Sequence, residues 1–118
     1  MNRLDIEQID GVPIARLNED LDAANAAAVQ RKLAEALGPD TLSLVIDLSG
    51  TRYLDSAGID MLLRLGDRLD HRRAKLILVI PESSPLNRLV AIVGLPEALA
   101  IRPSVDEALA DQKSTGAS

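Results

Sequence analysis

The stretch Leu42-Ser43-Leu44-Val45-Ile46-Asp47-Leu48, then Ser49-Gly50-Thr51-Arg52-Tyr53, then Leu54-Asp55-Ser56-Ala57-Gly58-Ile59, decides the fold. Leu44, Val45 and Ile46 are apolar in succession, so a strand over 42–48 is covered on both faces, as at the centre of a parallel sheet. Ser49-Gly50-Thr51 breaks that strand. A helix follows over about 56–70, with Ile59, Leu62, Leu63, Gly66 and Leu69 as its apolar stripe. A buried strand feeding an amphipathic helix is the first half of a βαβ unit, which pairs its strands in parallel.

The flanks repeat the pattern. Downstream, 75–80 is a second continuous strand, and 81–84 a loop. Ser84 caps a short helix with Pro85 at its first helical position, where the missing N–H costs nothing. Leu86, Leu89, Val90 and Val93 form its stripe and Gly94 ends it. Residues 98–102 suit a last short strand, and Ser104 with Glu107 forms a capping box for a terminal helix through about Ala110. Upstream, Asp22 is a natural N-cap for an Ala-rich helix over 23–37, stopped by Gly38 and Pro39. Before it, two alternating strands flank Asp10-Gly11, a hairpin turn signal. Pro13 lacks an N–H, so its place is near an edge or at the beginning of its strand. The expected fold is one α/β domain over 1–112, a mixed sheet of four to five strands with a parallel centre and about four helices, followed by a flexible tail over 113–118.

Composition narrows the function. Of 118 residues, 36 are Leu, Ile or Val, far above the level of a disordered chain. A domain of this size buries roughly two-thirds of the surface of its unfolded chain. The net charge of −5 argues against a nucleic-acid binder and against adhesion to an anionic membrane. Cysteine is absent, so thiolate chemistry and disulfides are excluded. No apolar run approaches the roughly 20 residues of a membrane span. One Tyr, no Phe and no Trp leave an aliphatic core and no stacking platform for bases.

Few residues offer chemistry. The one histidine, His71, closes a helix, where a cation suits the negative dipole end. No His or Glu set has metal-ligand spacing, and no phosphate-binding glycine motif occurs. Neither a metal nor a cofactor is expected. What remains is 54–59. Small residues at 56, 57 and 58 leave a helix start uncovered, with N–H groups that have no intrahelical partner. Such a place binds an anion or carries one covalently, and a phosphate on Ser56 would add about −1.5 to −2 charges beside Asp55. Equally, Asp55 or Ser56 is simply an N-cap and Gly58 serves close packing.

Val45-Ile46-Asp47-Leu48 and Tyr53-Leu54-Asp55-Ser56-Ala57-Gly58-Ile59 together resemble the signature of STAS domains, most of all the stand-alone bacterial anti-sigma factor antagonists. Leu21-Asp22 falls at the family's L-D pair, and Val93-Gly94-Leu95 resembles its late G-L element. The resemblance spans about residues 4–110. It implies a cytoplasmic, non-enzymatic regulator of transcription. Such a protein binds an anti-sigma factor that is also a serine kinase, frees a sigma factor, is switched off by phosphorylation and is reset by a phosphatase. Carried onto this chain, Ser56 is the phosphoacceptor, and Asp22, Asp55, Ser56, Ala57, Gly58 and Ile59 form the partner-binding surface. Glu19 stands where the family commonly has Gly, and aliphatic residues replace most family aromatics. The resemblance also admits a constitutive STAS subunit of a transporter or sensory complex. Weak nucleotide binding at the helix start lacks a phosphate loop, and an enzyme with Ser56 as nucleophile lacks a base: His71 lies about 20 Å away along the helix.

Overall fold

The structure, a computed structural model, describes residues 3–116. The elements run β1 (Leu4–Ile9), β2 (Val12–Leu17), α1 (Ala26–Ala36), β3 (Ser43–Asp47), α2 (Ser56–His71), β4 (Lys75–Val79), α3 (Leu86–Ile92), α4 (Leu95–Ala98), β5 (Ala100–Arg102) and α5 (Val105–Gly116). One mixed five-stranded sheet has the order β1-β2-β3-β4-β5, with β1 antiparallel to β2 and all later pairs parallel. Asp10 and Gly11 close the first hairpin with φ of 52° and 79°, the geometry of a type I′ turn. Pro13 pairs with Gln8 near the start of β2 and lies one residue outside the ladder to β3.

Sequential parallel strands joined by right-handed crossovers put every connecting helix on one face. That face holds the main core. Leu44, Ile46 and Leu78 of the sheet pack under Leu33 of α1, Leu62 and Leu69 of α2 and Leu86 of α3. The opposite face belongs to α5, whose Ala108 and Leu109 cover Ile14, Val45, Ile77 and Val79.

Five helices form where about four were expected. The extra one, α4, is a single turn, too short to show a helical period. The stripe of α2 also shifts: Gly58, Met61, Leu62, Leu65 and Leu69 are buried, whereas Leu63 faces outward. Spacing of three and four from Gly58 selects Leu65 over its neighbour. The terminal helix continues to Gly116, past the expected end near Ala110, so it includes the first residues of the expected tail; Ala117 and Ser118 lie outside the described residues. Ser104 Oγ accepts from Glu107 N at 3.1 Å, as half of the expected capping box.

One carboxylate pins α5 to the sheet. Asp111 accepts from Lys75 Nζ at 2.7 Å and lies 3.2 Å from the Arg102 guanidinium. The Lys75 hydrogen bond first, and Arg102 after it, hold the Asp111 carboxyl below its ordinary range against the opposing effect of burial. A depressed folded pKa means stability that is present above the unfolded value of about 3.9 and lost as pH falls through the folded one. Acidification below about pH 4 is therefore expected to loosen α5 before the sheet. Amide NMR shifts of 105–111 followed from pH 6 to 3 test this, and Asp111→Asn should remove that titration step.

Candidate functional site

The residues singled out by sequence meet at the C-terminal ends of β2 and β3, where the loops to α1 and α2 leave the sheet. An isolated parallel bridge between Leu21 and Leu54, both buried, carries the pairing of these two strands beyond their ends. Leu21 N donates to Tyr53 O at 3.1 Å, and Asp55 N donates to Leu21 O at 3.2 Å. The two loops are thus one unit.

Asp55 is the N-cap of α2. Its backbone is extended, with φ −94° and ψ −177°, and Oδ1 accepts from Gly58 N at 2.9 Å. The second oxygen does something the sequence does not reveal. Oδ2 accepts from Ala23 N at 3.0 Å, across 32 positions of chain. One carboxylate therefore caps α2 and holds the turn that precedes α1.

Asp22 is not the cap of α1, which begins at Ala26 rather than at 23. Its Oδ1 accepts from Ala24 N at 2.9 Å and Asn25 N at 3.3 Å, closing a separate turn. Asn25 occupies the N-cap position of α1, but its side chain folds back to Asp22 N and Asp20 O and caps nothing. This mutual use of side chains delays the helix by three residues.

Ser56 is the first residue of α2 and is exposed. Among the described residues, none hydrogen-bonds its hydroxyl, and nothing accepts from the amides of Ser56 and Ala57. Gly58 N is taken by Asp55 Oδ1, and Ile59 N by the Asp55 carbonyl. Ala57 and Ile59 are half-buried and Gly58 is buried. A Cβ at Gly58 would lie 2.6 Å from the Leu21 carbonyl oxygen, so glycine is what lets α2 lie against this loop.

Residues that sequence reading treated only as a break form the mount. Thr51, buried, donates its hydroxyl to Leu17 O at 3.0 Å. Asp20 Oδ1 accepts from Arg52 N at 3.1 Å. Gly50 passes so close to Asn18 that a Cβ would meet Asn18 Cα at 3.2 Å. Short side chains at both strand ends were the only local signal. Glu19 turns away from the site to pair with Arg3 at 3.4 Å.

Other chemistry is remote. His71 closes α2 at its far end, exposed, with Nδ1 donating to Asp67 O at 2.8 Å. That bond, followed by the charges of Asp67 and Asp70, raises the imidazole pKa. A cleft of about 420 Å³ between the second half of α2 and the starts of β4 and β5 is likewise distant from Ser56. Among the described residues, no group of three His, Asp or Glu is placed to hold a metal ion, and no helix is long and apolar enough to cross a membrane.

The model of the STAS domain family matches residues 3–108. The chain belongs to the STAS domain family. The anti-sigma-F factor antagonist RsfB of Mycobacterium tuberculosis is 24% identical over 100 residues, which is 85% of this STAS chain and 80% of RsfB. An anti-sigma factor antagonist from Mycobacterium paratuberculosis has a crystal structure that superposes with a TM-score of 0.76 at 24% identity, covering 92% of this chain and 91% of that one. SpoIIAA, an anti-sigma factor antagonist of Bacillus, superposes in its unphosphorylated form with a TM-score of 0.68 at 18% identity over 94% of this chain and 97% of that one. Its phosphorylated form gives 0.67 at 17% over 92% and 97%. These likenesses show that the five-stranded mixed sheet with its five helices, as described above, is the fold of these proteins.

Proposed function

We propose that this STAS protein is an anti-sigma factor antagonist. It binds an anti-sigma factor that is also a serine kinase, so that a sigma factor is freed, and it is released when that kinase phosphorylates Ser56. A phosphatase restores the binding form. The reading puts the chain in the cytoplasm, where transcription takes place, and gives it no catalytic role of its own. The observation that carries it is the state of Ser56: an exposed hydroxyl, without a partner among the described residues, at the start of a helix whose position is fixed by Asp55. Support also comes from the relatives, which are named anti-sigma factor antagonists, one of them known in a phosphorylated form.

The chemistry suits a switch. A kinase needs the acceptor hydroxyl free and in reach. A phosphate there would find the unused amides of Ser56 and Ala57 and the positive end of the α2 dipole, so it would not unfold the helix. It would also add about −1.5 to −2 charges at the centre of the surface that includes Asp22, Asp55, Ala57, Gly58 and Ile59.

The test uses the wild-type chain as bait in a lysate of the source organism. A captured kinase-type anti-sigma factor, purified and given ATP, should transfer one phosphate to this chain, located by mass spectrometry on Ser56. Phosphate on another residue would sink the assignment. Capture of a transporter or scaffold instead, with no incorporation, would make the chain a permanent subunit.

A further inference from the structure

The chain contains one Tyr and no Phe or Trp, and the fold leaves that Tyr outside its core. The core is aliphatic, yet Tyr53 stands 56% exposed three residues before Ser56. Among the described residues no hydrogen bond and no ring contact engages its side chain. An aromatic side chain buries about 150–250 Å² when fully covered, and a tyrosine pairs that apolar body with a polar tip. The other strongly exposed apolar residues lie elsewhere in the chain: Leu42 precedes β3, and Ile92 with Val93 ends α3.

The backbone beneath the ring is fixed on both sides. Thr51 is buried and bonded to β2, and Arg52 N donates to Asp20. The Tyr53 carbonyl accepts from Leu21 N, Leu54 is 1% exposed, and Asp55 caps α2. Only the two side-chain torsions of Tyr53 remain to be ordered on contact, so little entropy opposes its burial. Exposed, preorganised tyrosines are the kind of residue that concentrates binding energy at protein interfaces.

We infer that Tyr53 anchors the partner on the Ser56 face, its ring entering an apolar recess of the anti-sigma factor; this rests on the antagonist reading above. Three residues span at most about 11 Å, so a phosphate on Ser56 stands within the same contact. Charge brought into a desolvated contact must be stripped of water or left unpaired. Tyr53 thus supplies affinity and Ser56 decides whether it can be used.

The experiment titrates the purified anti-sigma factor captured by the wild-type chain against wild type, Tyr53→Ala, Tyr53→Phe and Ser56→Asp. Tyr53→Ala is expected to weaken binding about thirtyfold or more, at an unchanged melting temperature, and Tyr53→Phe to retain most of it. With ring-labelled tyrosine the free chain gives one set of ring signals, which should shift in the complex. This second readout needs no variant. Binding of Tyr53→Ala within threefold of wild type with unmoved ring signals, while Ser56→Asp abolishes binding, would overturn the anchor and leave the antagonist reading standing. If Ser56→Asp binds like wild type, or no anti-sigma factor is captured at all, the antagonist reading falls and the anchor with it.

Discussion

Ser56→Asp is expected to weaken binding of the anti-sigma factor about a hundredfold while melting within about 5 °C of wild type. The small effect on stability follows from the position. The side chain is exposed, its hydroxyl has no partner among the described residues, and the first turn of a helix favours an acid by about 0.3–1 kcal/mol. Repulsion from Asp55 opposes this, but both oxygens of Asp55 already accept backbone N–H groups. The net change is within about 1 kcal/mol. The large effect on binding follows from burial. A carboxylate at the centre of a docked surface costs roughly 2–3 kcal/mol when nothing across the interface pairs with it, which is about a hundredfold. Ser56→Ala should bind normally and accept no phosphate. Titration calorimetry with thermal melts of all three chains decides. Unfolding of Ser56→Asp would assign Ser56 to the structure, and undiminished binding would mean that the partner docks elsewhere.

How much of this was legible in the sequence depends on how local each determinant is. The apolar run Leu44-Val45-Ile46 places β3 at the sheet centre, and Asp10-Gly11 has the positive φ that its hairpin turn demands. The structure makes Asp55 the cap of α2; a cap at Asp55 or Ser56 and a start of α2 near 56 were readable because a cap acts over three residues. The second half of Asp55's work was not, since Ala23 lies 32 positions away and no local pattern announces it. The start of α1, at Ala26 rather than 23, is hidden for a related reason. Asp22 has the chemistry of a cap, but Asn25 competes for the same backbone and delays the helix. Leu63 and Leu65 are both apolar on α2, and the choice between them follows from where the buried stripe starts, at Gly58 against Leu21. Tyr53 was visible as a residue and as part of the signature. Its exposure was not, because an aromatic beside a buried Leu54 reads equally well as core.

Gly58→Ala is expected to destabilise the chain by about 2–3 kcal/mol and to lower its melting temperature by roughly 10–15 °C. In an exposed helix interior the same change would stabilise by up to about 1 kcal/mol. Here the added Cβ would sit 2.6 Å from Leu21 O and 3.0 Å from Leu21 Cγ. Leu21 cannot yield cheaply. Its N–H and C=O are bonded to Tyr53 and Asp55, and its side chain is 1% exposed. Relief requires α2 to move off the loop, which pulls Asp55 away from Ala23 and separates Asp22 from Ser56. Gly66 provides the control on the same helix. A Cβ there would meet the Leu99 Cδ2 methyl at 2.4 Å, the far end of a side chain that can rotate, so Gly66→Ala should stay within about 1 kcal/mol of wild type. Denaturant unfolding of the two variants measures the difference. A Gly58→Ala chain as stable as Gly66→Ala would mean that Leu21 does not fix the distance between the loop and α2. A destabilised one would show that the glycine of this signature holds two loops together, with Ser56 carried on the result.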